Sequence, residues 1–325
     1  MITVLTQSTI YDEWAHIVWS SAESRNDVKI IYDTIWQYNS FLRRLHKIHH
    51  FMKLPLKGVW IKKYLSEIPL SKKEKNIIFI KDVSIYTVNE KFIKYLQKNF
   101  SAKVILYTFN PIKRKGGKGY IGNVEIEKLK RWYDLVIVCD PDDASKYKLD
   151  LILEIYSKID FTEAKESKKD LLFVGREKGR EGLIESIYQV LKFYDINVEI
   201  DICGKGKERG DGWNYIEYIP YGQIIEKVRE SNCILEVLQK GQSGMTQRTM
   251  EALVYNKKLL TNNKHIVEMP FYNKDYIQVF EKPEDIDVNF ITERIAVDYG
   301  YRDEYSASAF LDKAIELLKI KEQGK

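Results

Sequence analysis

A chain of 325 residues exceeds what one core usually fills and fits two domains of about 150 residues each. An apolar fraction of 44% with 30% charged residues is that of a soluble globular protein. No run approaches ~18 consecutive apolar residues, which excludes a spanning helix, and the opening MITVLTQSTIYDEW lacks the basic start and apolar run of a signal peptide. The net charge of +5 is uneven: ten Lys and Arg lie between Arg43 and Lys75, against only Glu67 and Glu74. Such a localised basic segment suggests a surface that meets anions. Cys139, Cys203 and Cys233 follow no metal spacing and sit in or beside apolar runs, so they read as buried, reduced thiols of a cytosolic protein.

Short β-rich runs alternate with helical patterns along the chain. ITVLT (2–6), VKIIYDT (28–34), NIIFIKD (76–82), KVILYTF (103–109) and DLVIVCD (134–140) form a first series. DLLFVGR (170–176), NVEIDICG (197–204), CILEVL (233–238), KKLLTN (257–262) and YIQVF (276–280) form a second. Helical spacing lies between them, as in 89–100 and 182–194. This alternation predicts an α/β protein of two doubly wound, Rossmann-like domains. The polar run TEAKESKKD (162–170) reads as the linker, giving domains 1–162 and 163–325 with a cleft between them as the default site. An amphipathic helix over 305–320 ends the pattern and could pack back on the first domain.

Four stretches carry chemistry. In FVGREKGREGLIESI (173–187) a strand ends at Gly175 and a helix starts near Glu181, with Arg176, Lys178 and Arg180 between; helix-start amides beside cations suit phosphate. DICGKGKERGDGW (201–213) is a glycine-rich loop after a strand, containing Gly204 and Lys205, but without dinucleotide-fingerprint spacing. Ile219-Pro220-Tyr221 opens a short helix, and Tyr221 either stacks on a nucleobase or caps that helix. GQSGMTQRTMEAL (241–253) is a turn into a helix starting near Thr246, with Arg248 on the first turn and Glu251 one turn on. Glycine admits a ligand close to backbone, the helix start and Arg248 suit a diphosphate, and a carboxylate suits two ribose hydroxyls. The same residues also fit an N-cap followed by an i,i+3 surface pair.

In this order the four stretches resemble the donor-binding half of GT-B glycosyltransferases. The match covers about residues 170–265, on Val174-Gly175-Arg176, Cys203-Gly204-Lys205-Gly206, Ile219-Pro220-Tyr221 and Gly241 to Leu253. With YTFNPI (107–112) and DPDDASKY (140–147), the chain is similar to bacterial capsular and lipopolysaccharide biosynthesis proteins. The resemblance implies a nucleotide-sugar donor, UDP-sugar favoured, as substrate with no further cofactor, and a glycan or lipid-linked oligosaccharide acceptor. It places Glu251 on the ribose, Gly244 and the amides after it, at Met245 and Thr246, facing the donor, and Arg176 and Lys205 at the diphosphate; Tyr221, Ser243 and Arg248 are further candidates for donor binding. Many retaining members carry a second Glu eight residues before the ribose Glu; Ser243 stands there instead, which leaves the stereochemical outcome open.

An inverting enzyme needs a base at the acceptor hydroxyl. Asp12, Glu13 and His16 are the candidates, Asp12 and His16 being an i,i+4 pair if helical. Asp140-Pro141-Asp142-Asp143 is read as turn and N-cap chemistry, with no metal. The basic amphipathic segment 41–65 suggests peripheral contact with the inner face of a membrane. No nucleic-acid module is visible. A non-catalytic GT-B-like binding subunit and a GT-B-architecture nucleotide-sugar epimerase remain alternatives.

Overall fold

The computed structural model describes residues 1–6, 12–32, 75–81, 90–112, 126–163, 165–207, 209–217 and 219–324, with isolated positions at 41, 44, 45, 48, 52 and 70. Apart from its isolated positions, the basic segment 41–65 lies outside the described residues.

The chain forms two compact units: Met1–Ile152 with Ser306–Lys325, and Leu153–Tyr305. The boundary falls ten residues before the one read at 162/163. Glu154, Ile155, Tyr156 and Ser157 are buried, and Tyr156 N donates to Tyr305 O at 2.9 Å. The polar run taken for a linker is instead tied to the second unit. Lys165 pairs with Glu226 and Glu230 at 2.5 and 3.0 Å, and Ser167 Oγ donates to Ser231 O at 3.2 Å.

The first unit holds a six-stranded parallel sheet of order β2-β1-β3-β4-β5-β6. Its strands are β1 (Ile2–Thr6), β2 (Val28–Tyr32), β3 (Ile77–Lys81), β4 (Lys103–Thr108), β5 (Leu135–Val138) and the short β6 (Asp150–Leu151). Helices α1 (Asp12–Glu23), α2 (Glu90–Phe100), α3 (Ile126–Trp132) and α4 (Pro141–Tyr147) accompany them. In α2 the buried residues Phe92, Ile93 and Leu96 fall on one face and join the core with Ile78, Ile80 and Val104. The Asp-rich turn works as read: Asp140 caps α4, accepting from Asp143 N at 3.2 Å, with Pro141 in the first turn.

The second unit holds another six-stranded parallel sheet, of order β12-β11-β10-β7-β8-β9. These are β7 (Lys169–Arg176), β8 (Val198–Cys203), β9 (Trp213–Ile216), β10 (Ser231–Glu236), β11 (Lys258–Thr261) and β12 (Ile277–Val279). Helices α5 (Glu181–Phe193), α6 (Tyr221–Arg229), α7 (Gln247–Val254) and α8 (Val288–Thr292) cover it. Both sheets are thus parallel and accompanied by helices, the two Rossmann-like α/β units expected. The last helix, α9 (Ala307–Gln323), belongs to the first unit. It is capped by Ser306, whose Oγ accepts from Ala309 N. Its Phe310 ring packs 4.6 Å from Tyr107 and 5.7 Å from Phe79.

Strand order in the second sheet reverses between β7 and β10. The carboxyl ends of strands at such a switch point are where doubly wound sheets bind ligands. The loop after β7 and the turn after β10 therefore meet where a site is expected.

Candidate functional site

The turn after β10 is built on a carboxylate that the sequence reading passed over. Glu236 ends β10 and is fully buried. Its Oε1 accepts from Thr246 N at 3.2 Å, Thr246 Oγ1 at 2.6 Å and Thr249 Oγ1 at 2.6 Å. Its Oε2 accepts from Thr261 Oγ1 at 2.5 Å; Thr261 is its register partner on β11. One carboxylate thus ties the end of β10, the start of α7 and the end of β11 together. The signal was present: a single acid inside the apolar run CILEVL needs partners if that run is a buried strand.

Thr246 caps α7, accepting from Arg248 N at 3.1 Å. Arg248 then sits on the first turn and donates through Nη2 to Glu251 Oε1. Tyr221, the first residue of α6, gives its hydroxyl to the same oxygen at 2.5 Å. The Tyr221 and Tyr156 hydroxyls lie 3.4 Å apart. The Glu251 side chain is 0% exposed and that of Arg248 13% exposed, so this i,i+3 pair is a buried one and not a surface pair. Burial pushes the Glu251 carboxyl up, against the opposing pull of Arg248 and Tyr221. Two atoms of the pair, Glu251 Oε2 and Arg248 Nη1, are buried with no hydrogen-bond partner among the described residues. Buried polar atoms rarely stay unpaired, so a donor and an acceptor left over within one ion pair are unusual.

Across the switch point, Arg180 bridges the two loops. Its guanidinium donates to Val237 O after β10 and to Arg176 O at 3.1 Å. It lies over the Phe173 ring at 5.2 Å. Gly175 makes room for it: a Cβ there would come within 3.2 Å of Arg180 Nη2 and 3.3 Å of the Phe173 ring. Burial, and then the Arg248 charge, push the Arg180 guanidinium down to about 10. Two arginines crowded in this way would be relieved by an anion. Arg176 itself is exposed at the end of β7.

The remaining residues of the motif divide. Gly204 follows β8 with open space where a Cβ would stand, and Lys205 beside it is exposed. The later glycines of that loop answer local packing. At Gly212, with φ +82°, a Cβ would stand 2.2 Å from Val198 O, and at Gly206 it would enter the Tyr215 ring. Ser243, Gly244 and Met245 are buried within the turn, while Thr246 and Arg248 are partly exposed. Tyr221 is 5% exposed with its hydroxyl engaged, so the stacking role read for it has no open ring face; its place is to orient Glu251.

In the first unit, α1 carries the candidate bases. Asp12 starts the helix and Glu13 is exposed on its first turn. The carboxylate that meets His16 is Glu23, two turns on: Nδ1 lies 2.9 Å from Glu23 Oε1, and the ring sits 4.0 Å from that of Tyr32. Tyr32 of β2 also donates to Glu23 and so holds it beside the imidazole; the Asp12 side chain lies outside the described residues. Among the described residues no helix is long and apolar enough to cross a membrane.

No family model matches the chain, and no curated protein does. Among solved structures it is similar to an alpha-glucosyltransferase in complex with UDP and DNA, with TM-score 0.56 and 12% identity, covering 98% of this chain and 99% of that one. It is similar to HepE of Anabaena in complex with UDP-glucose, with TM-score 0.54, 11% identity and coverage of 98% and 99%. A UDP-N-acetylglucosamine 2-epimerase from Rickettsia bellii follows at TM-score 0.50 and 14% identity, covering 98% of this chain and 95% of that chain. At such identities the likeness shows the fold: the chain has the GT-B architecture of UDP-sugar transferases and epimerases.

Proposed function

We propose that this protein is a glycosyltransferase that moves a sugar, a hexose by class, from a UDP-sugar to a glycan acceptor. The observation that carries the reading is the buried Arg248–Glu251 pair with one orphan acceptor and one orphan donor at the switch point. Ribose hydroxyls complement both, since a hydroxyl donates to a carboxylate and accepts from a guanidinium. The diphosphate is assigned to the first amides of α7, to Arg180 and Arg176, and to Lys205 on the neighbouring loop. Gly204 and Gly244 let the donor approach the backbone, with Ser243, Met245 and Thr246 shaping the turn. The fold shared with proteins that hold UDP or UDP-glucose supports this assignment.

In the inverting form of the proposal His16, oriented by Glu23, takes the acceptor hydroxyl proton, with Asp12 and Glu13 on the same helix start. The new carbon–oxygen bond forms as the bond to the diphosphate breaks. The motif resemblance supports a lipid-linked acceptor of capsule or lipopolysaccharide synthesis, met from the cytoplasm at the inner membrane face through segment 41–65.

UDP at 100-fold over its Kd is expected to stabilise the protein by about 2.7 kcal/mol, read as a rise in melting temperature. Glu251→Gln is expected to abolish that rise. A screen in which UDP, GDP, dTDP and CMP derivatives all leave the melting temperature unchanged would sink the proposal. Because the leaving diphosphate is assigned to amides and basic side chains, transfer is expected to survive EDTA; loss restored by a divalent cation would refute that assignment. The epimerase reading draws on the fold likeness to a 2-epimerase. It is decided by incubating UDP-sugars without acceptor: an epimerised product would replace transfer by epimerisation. UDP binding without turnover of any sugar would leave the binding-subunit reading.

A further inference from the structure

The opposite edge of the second sheet carries a feature that the proposed reaction does not use. A cavity of about 390 Å³ lies where α6 and α7 end and β10 and β11 begin. One side is 158–161 with Glu163 and Lys165; the other is Arg229 and the turn 254–257. This is the amino edge of the strands, whereas Glu236, Thr246 and Arg248 cluster at the carboxyl edge.

Most of its charges are already matched. Lys165 holds Glu226 and Glu230. Arg229 pairs with Glu226 at 3.0 Å and covers the Phe161 ring at 3.8 Å. Lys158 lies 3.4 Å from Asp160, and Glu163 is exposed at the rim. Lys257 differs. Its Nζ donates to Arg229 O at 2.6 Å and meets no carboxylate among the described residues. The charged groups that face it are Arg229 and Arg294, both cations. Arg294 in turn holds Asp170 at 2.6 Å. Burial, then Arg229 and Arg294, push the Lys257 amine down to about 8. A half-buried amine with like charges around it and an open cavity beside it lacks its counter-ion. Phe161 and Tyr255, 6.1 Å apart, give the same cavity an aromatic wall.

We propose that this cavity is a second ligand site, which takes a small molecule bearing one oxyanion group, carboxylate or phosphate, on an apolar or planar body, with Lys257 as the counter-charge. The anion meets the Lys257 ammonium while the body lies against Phe161 and Tyr255. Binding restores the ammonium, so it takes up protons and weakens as pH rises.

Sodium benzoate is the probe, because its carboxylate does not titrate near pH 8. Titration calorimetry of the full chain is expected to show binding that weakens roughly tenfold or more between pH 7 and pH 9.5. At pH 8 the heat should depend on the buffer's ionisation enthalpy, with uptake approaching about half a proton per ligand. Lys257→Met should weaken binding about tenfold at pH 7, and Lys165→Met, whose charge is already matched, less than about twofold. Undetectable binding, binding without pH dependence or proton uptake, or equal loss in both variants overturns the proposal. Loss in Arg176→Ala would place benzoate at the carboxyl edge and also overturn it. Should Lys257→Met fail to fold, proton uptake by the unmodified protein decides alone. None of these outcomes depends on what the carboxyl-edge site binds.

Discussion

Replacing Glu236 by Gln is expected to lower stability by about 3 kcal/mol, several degrees in melting temperature, although the side chain keeps its shape. Four donors converge on its two oxygens. An amide offers one acceptor oxygen and presents two donors where the second oxygen stood. The Oε1 position serves Thr246 and Thr249, and Oε2 serves Thr261, so either amide orientation strands buried hydroxyls. Hydrogen bonds to an ionised acceptor are the stronger kind, and stranding a buried donor costs its full desolvation. Urea denaturation followed by circular dichroism measures the loss. Because Thr246 caps α7, nucleotide binding should fall with it. A variant as stable as the parent would show that the carboxylate does not hold the turn.

Arg248→Met is expected to cost about 3–5 kcal/mol, because it leaves the wholly buried Glu251 with no cation. Removing both charges, as Arg248→Met with Glu251→Leu, should recover most of that stability, since an apolar pair of similar volume avoids the desolvation of both ions. UDP binding should remain absent in the double variant. Stability and binding therefore part company there, and the double-mutant cycle assigns the pair to ligand binding rather than folding. A double variant that still binds UDP would refute the ribose assignment to Glu251.

Much of the framework was legible from periodicity. Ten strands were read within a few residues of their places, because parallel strands buried on both faces appear as short apolar runs between polar breaks. The two that were missed have physical reasons. Asp150–Leu151 is too short for any pattern, and Trp213–Ile216 follows directly on a glycine-rich loop that masks it. The turn at Gly241–Thr246 was found through its residue types. Its foundation was not, because Glu236 draws its partners from Thr249 on α7 and from Thr261, which only the parallel register of β10 and β11 places beside it. Arg180 was seen as one charge in a loop; its bridge to Val237 depends on which strands are neighbours. The pairing of His16 with Glu23 likewise required the position of Tyr32 on β2.

The membership of α9 bears on how the polypeptide can be divided. The second unit is an insertion within the first: the strands of the host precede it and one of its core helices follows it. Phe310 completes the aromatic cluster of Trp19, Phe79 and Tyr107 only after the inserted unit has been synthesised. No single cleavage yields two intact halves. The host closes around sequence positions more than a whole domain apart, whereas 153–305 holds all the strands of its own sheet in one continuous stretch.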